Sequence, residues 1–130
     1  MALIKKFGEM WARNPENIEL IPGAKNGGQG VYVLYDGSIP VYIGMGNIRQ
    51  RIKKARTSKR RGQMWDHFSW YIPADPRLTR DIEALLLLML PFYLRVLNRQ
   101  RGELEGAEKM TKAKKHPTSE FINRRKLPPR

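Results

Sequence analysis

Between Gly30 and Ile52 the apolar rhythm of the chain changes from alternating to helical. Val31–Tyr35 and Ile39–Ile43 are short runs rich in Val, Ile and Tyr, separated by Asp36-Gly37-Ser38, which predicts a β-hairpin. Asn47 then stands where a helix cap is expected, before a run to about Arg56 whose apolar positions, Ile48, Ile52 and Ala55, form one stripe. Thr57–Gln63 is a basic loop, and His67–Ile72, dense in aromatic residues, predicts a third strand. Asp75-Pro76 marks a helix start, a capping carboxylate followed by proline, and that helix runs through the leucines after Glu83 to stop near Pro91. Upstream, Leu3, Phe7 and Met10 fall at helical spacing within Ala2–Arg13, and Ile21–Gly30 is a glycine-rich loop. The pattern predicts an α+β domain, a small three-stranded antiparallel sheet flanked by helices. Its expected divisions are an N-terminal helix and loop (1–29), the domain proper (30–101) and a basic C-terminal tail (102–130).

Charge narrows the class of partner. A formal net charge of +13 in 130 residues points to a polyanion, nucleic acid or an anionic surface. The absence of cysteine excludes disulfides and thiolate metal sites and fits a reducing cytoplasm. The start, MALIKKFGEMWARN, is too interrupted by charge for a signal peptide, and the longest apolar run, Ile82–Leu94, is too short and too broken to span a bilayer. The glycines of the 21–30 loop match no phosphate loop, because no Gly-Lys-Ser or Gly-Lys-Thr follows.

Two places carry candidate chemistry. Arg49, Arg51, Lys53, Lys54, Arg56, Lys59, Arg60 and Arg61 crowd the stretch between Asn47 and Gln63 with no acidic residue among them. Such a run repels itself at helical spacing unless phosphates relieve it. At about 100° per residue, Arg49, Lys53, Arg56 and Arg60 share a face away from the apolar stripe, free to follow phosphates, whereas Arg51 borders the packed surface. The second place is Glu83, which has Leu86, Leu87 and Leu90 on its own helical face. A buried carboxylate costs several kcal/mol unless paired or metal-bound, so either a salt bridge to Arg80 or a hard divalent cation is expected there.

Taken together, Gly30-Val31-Tyr32, the Tyr42-Ile43-Gly44 of VYIG, Asn47–Ile52 (NIRQRI), Glu83–Leu87 (EALLL) and Asn98 resemble the GIY-YIG nuclease domain. The resemblance spans roughly Gly30 to Asn98. It implies metal-dependent phosphodiester hydrolysis with Tyr32, Tyr42, Arg51, Glu83 and Asn98 in the site, Glu83 as ligand of one Mg²⁺ or Mn²⁺ ion, and DNA, branched or damaged, as substrate. The chain departs from the family's usual pattern at Ala55, where His or Tyr is common, and at Met45, where repair-type members often carry Lys.

The chemistry that fits is in-line attack by water. Tyr32 would orient the water or help remove its proton, although a phenol with an ordinary pKa of about 10 is a weak base at neutral pH. Arg51 would hold a non-bridging oxygen. His67, at the start of the third strand, is a second candidate for proton transfer, the alternative being a hydrogen bond to the loop. A shared tyrosine site requires both rings on one face. A three-residue turn with Gly37 in the left-handed region gives that parity, and a two-residue Asp36-Gly37 turn does not. Competing readings are a non-catalytic nucleic-acid-binding module on the same fold and an RNA-binding protein using Trp65, Trp70 and Tyr71 for stacking.

Overall fold

The computed structural model describes residues 2–59, 62, 64–90 and 103–110. Its elements run β1 (Ile4–Ala12), α1 (Pro15–Leu20), β2 (Gln29–Asp36), β3 (Ile39–Asn47), α2 (Ile48–Thr57), β4 (His67–Pro73) and α3 (Thr79–Met89). The strands form one four-stranded sheet in the order β1-β4-β2-β3, antiparallel throughout, so the fold is α+β with β1 and β3 at the edges. No described helix is long and apolar enough to cross a membrane.

The fourth strand corrects the expectation of three, and it comes from the segment expected to be an N-terminal helix. Leu3, Phe7 and Met10, which share a helical face on paper, are all exposed in the fold. The residue that decides the matter is Trp11, which packs edge-on against Phe68 and Trp70 of the core with ring centroids 6.0 and 5.4 Å away. Helical spacing and strand alternation both accommodate a short amphipathic run, and here pairing with β4 won. The register slips between Gly8 and Trp11, where Met10 adopts φ 54°. Its backbone N–H donates to Ser69 Oγ at 2.9 Å.

The sheet is covered on both faces. One face presents Tyr32, Leu34, Phe68, Trp70 and Ile72 to Ile18 of α1, to Ile21 and to Ile48, Ile52 and Ala55 of α2. The other presents Val31, Val33 and Ile43 to Leu87 of α3 and to Leu90, with Ile82 and Leu86 alongside. The α2 stripe read from the sequence is therefore its buried face, and the Asn47 side chain caps the helix by accepting from the Gln50 backbone N–H. Asp75 also caps, accepting from the Arg77 N–H, but a single 3-10 turn, Pro76–Leu78, precedes α3. Arg13 ties the end of α2 to the loop after it. Its guanidinium donates to the carbonyls of Arg56, Gly62 and Trp65 and lies 4.6 Å from the centre of the Trp65 ring.

Ser69 is fully buried, and its hydroxyl serves the bulged edge strand. Ser69→Ala should leave the Met10 N–H short of an acceptor and lower stability by about 1–2 kcal/mol. Urea unfolding checks this, and a change indistinguishable from zero would show that the bulge does not depend on the hydroxyl.

Candidate functional site

Parity comes first, because it decides whether two tyrosines can share a site. β2 and β3 join through a two-residue turn: Asp36 faces Ile39 and Tyr35 faces Pro40, with Gly37 at φ 62°. Continued unchanged, that register would put Tyr42 on the face opposite Tyr32. Between Leu34 and Tyr35 the ladder slips by one residue, so that Leu34 faces Tyr42 and Tyr32 faces Gly44. Val41 is the extra residue of a β-bulge, and every β3 side chain beyond it changes face. The two tyrosines end on the same face with ring centroids 6.0 Å apart and planes tilted by 36°. The shared face was expected; the device is a bulge and not the three-residue turn.

Glycine then makes room. A Cβ on Gly44 would lie 2.5 Å from the Tyr32 hydroxyl and 2.6 Å from Cζ, so the phenol of Tyr32 lies flat on the Gly44 backbone. Tyr32 itself is 2% exposed and belongs to the core, whereas Tyr42 is half-buried on the edge strand. Two residues further along, Gly46 holds φ 130°, a conformation that side chains rarely adopt. A Cβ there would approach Arg51 Nε to 3.1 Å, so the Arg51 guanidinium lies over Gly46 as the Tyr32 phenol lies over Gly44. The two glycines are two residues apart on β3, so the hydroxyl and the guanidinium lie against neighbouring positions of one strand. Tyr32, Tyr42 and Arg51 thus gather at the β3 edge, on the α2 side of the sheet. Gly46 is the member that the sequence reading missed, and its signal was the Gly-Met-Gly spacing just before a cap.

Other candidates are placed elsewhere. His67 lies on the opposite face: Phe68 and Trp70 point into the cluster around Tyr32, so His67 points away, across from Tyr35. Its Nδ1 lies 2.8 Å from Asp66 Oδ1, which also accepts from the Gly37 N–H. That hydrogen bond to His67, followed by the one from Gly37, holds the Asp66 carboxyl below its ordinary range. A sheet between His67 and Tyr32 removes the expected proton-transfer role, because alternation along β4 sends a residue one position before Phe68 to the other side.

Arg49 and Lys53 are not free. Arg49 Nε donates to the Ile21 carbonyl (2.8 Å) and Nη2 to the Glu19 carbonyl (3.0 Å), so the side chain clamps α2 to the end of α1. Lys53 Nζ lies 2.5 Å from Glu19 Oε1. Lys54, Arg56 and Lys59 are exposed. Arg60, Arg61 and Asn98 lie outside the described residues. Trp65 and Trp70 are core side chains, 3% and 2% exposed, which leaves neither ring available for stacking on a base.

Glu83 sits on α3, which covers the face opposite the tyrosines and packs mainly on β3. Glu83 is therefore separated from Tyr32 and Tyr42 by the sheet, and the fold does not gather the three on one face. It is 9% exposed, and burial raises its carboxyl pKa, with the charge of Arg80 partly opposing. No ion pair within 4 Å links it to Arg80 or to any other described cation. No group of three or more His, Asp or Glu suited to a metal occurs among the described residues. Among the described residues Glu83 is therefore a single buried carboxylate, and a cation there would need water or phosphate oxygens for the rest of its shell.

Comparison with protein-family models, curated proteins and solved structures returned no match. What the site can do rests on its own geometry.

The contact between Tyr32 and Gly44 generates a direct test. Gly44→Ala should destabilise the protein by about 1–3 kcal/mol through overpacking, and most of that loss should vanish when Tyr32 is also Ala. A double-mutant cycle measured by chemical unfolding checks this. Additive losses would mean that the phenol does not lie on Gly44.

Proposed function

We propose that this protein is a divalent-metal-dependent DNA endonuclease that hydrolyses phosphodiester bonds by in-line attack of water. The observation that carries the reading is the placement of Tyr32, Tyr42 and Arg51 beside β3 on one side of the sheet, with Gly44 against the Tyr32 phenol and Gly46 against the Arg51 guanidinium. The resemblance to GIY-YIG nucleases, drawn from the same residues, supports it, as does the charge of +13.

The roles follow from burial and charge. Tyr32, fixed within the core with its hydroxyl on Gly44, is suited to orient a water molecule through a hydrogen bond. Fixed orientation contributes to rate by holding the nucleophile near its line of attack. Tyr42, more exposed on the same face, borders the place a phosphate would occupy. Arg51 presents a permanently charged guanidinium to a non-bridging oxygen as negative charge grows at phosphorus. Glu83, although carried on α3 across the sheet from the tyrosines, would be the ligand of the one divalent ion. Such an ion would supply positive charge to stabilise the leaving oxygen.

Glu83 also ties function to stability. Its pKa is raised in the fold by burial, so the native state favours the protonated form. The stability this contributes is complete below the ordinary Glu value of about 4.3 and is lost as pH rises through the raised value. Glu83→Gln should therefore raise the melting temperature at pH 7, and the gain should vanish near pH 4. Added Mn²⁺ should stabilise the wild type and leave the variant unmoved. On supercoiled plasmid with Mg²⁺ or Mn²⁺, Glu83→Gln should lose nicking with DNA affinity retained, while His67→Ala nicks at the wild-type rate. Equal nicking by Glu83→Gln and wild type would remove Glu83 from the mechanism. DNA binding without nicking under either ion would make the protein a binding module.

A further inference from the structure

The cations of α2 divide into two rows, and the structure treats them differently. With Ile48, Ile52 and Ala55 buried, the helical angle of about 100° per residue puts Arg49, Lys53 and Arg56 on one flank and Arg51 and Lys54 on the other. The first flank faces α1. There Arg49 is spent on the carbonyls of Glu19 and Ile21, and the Glu19 carboxylate lies 2.5 Å from Lys53 and 3.9 Å from Arg49. Its hydrogen bond with Lys53, ahead of the Lys53 charge itself, holds the Glu19 carboxyl below its ordinary range, so it stays ionised. The second flank faces edge strand β3. Arg51 lies over Gly46 there, Lys54 is exposed one turn further on, and no described acid lies within 4 Å of either.

We propose that a DNA strand runs along the β3 flank of α2, its phosphates on Arg51 and Lys54, and that Glu19 closes the α1 flank against it. The proposal rests on the nuclease reading and deepens it, because it fixes the path by which substrate reaches Tyr32 and Tyr42. Two physical reasons favour this flank. A cation already paired with a carboxylate has little counterion to release, so its contact with a phosphate gains little. A phosphate approaching Lys53 also meets Glu19, a like charge at contact distance. Lys54 meets neither obstacle. It lies one turn beyond Arg51 on the same flank, so one strand can touch both. The basic residues of α2 are thus one clamp and one track.

The test is anisotropy titration of a labelled DNA duplex with the full chain across a salt series, comparing Lys54→Ala with Lys53→Ala. Both residues are exposed, and a thermal melt confirms that each variant folds. Wild-type affinity should fall steeply with salt. Lys54→Ala should weaken binding and reduce the slope of log K against log salt by about one, while Lys53→Ala leaves the slope unchanged. Equal losses in both variants, or a loss confined to Lys53→Ala, would overturn the choice of flank while leaving DNA binding standing. A wild-type slope near zero would overturn the DNA reading itself, and the track with it.

Discussion

One extra residue in β3 governs the rest of the site. Because successive side chains in a strand alternate faces, the Val41 bulge moves the whole second half of β3 by one position. It brings Tyr42 to the side of Tyr32, puts Gly44 beneath the Tyr32 phenol, and turns Ile43 toward the α3 side of the sheet. Without it Tyr42 would join the opposite face and Tyr32 would meet a side chain where it now meets glycine. The bulge lies on an edge strand, where an extra residue disturbs only one ladder. The core tolerates it because the displaced residues still bury apolar surface on both faces.

From that constraint the site is assembled by rigid parts. β3 passes directly into α2 through Asn47, whose side chain caps the helix, so Arg51 is carried on the first turn after the strand. Gly46 supplies both the unusual backbone angle and the flat surface on which the guanidinium lies. The far end of α2 is held by Arg13 and its near end by Arg49, each donating to backbone carbonyls. Two of the five cations on α2, Arg49 and Lys53, are therefore tied to the neighbouring helix.

The sequence showed the hairpin, the capped helix and its buried stripe, the aromatic strand and the buried glutamate, because each rests on a local signal: Asp36-Gly37, Asn47, Ile48-Ile52-Ala55, or a charge among leucines. It did not show β1, since Leu3, Phe7 and Met10 fit a helix as well as a strand and only pairing with β4 settles the choice. Nor did it show the bulge, which no residue type marks. His67 went astray for a related reason. Its distance from Tyr32 depends on which face of β4 it takes, and that follows from Phe68 and Trp70 being core residues. The partnership of Glu19 with Lys53 was equally hidden, being a tertiary contact between two helices with no periodic signature.

In the nuclease reading we propose, Tyr32 and Arg51 act together on a phosphodiester. Single-turnover cleavage of an end-labelled DNA duplex in Mn²⁺ measures it most directly, with Tyr32→Phe and Arg51→Ala beside the wild type. The predicted result is a loss of roughly 10²-fold or more in rate for each variant, with the fold intact by thermal melting. Cleavage by either variant at the wild-type rate would contradict the claim.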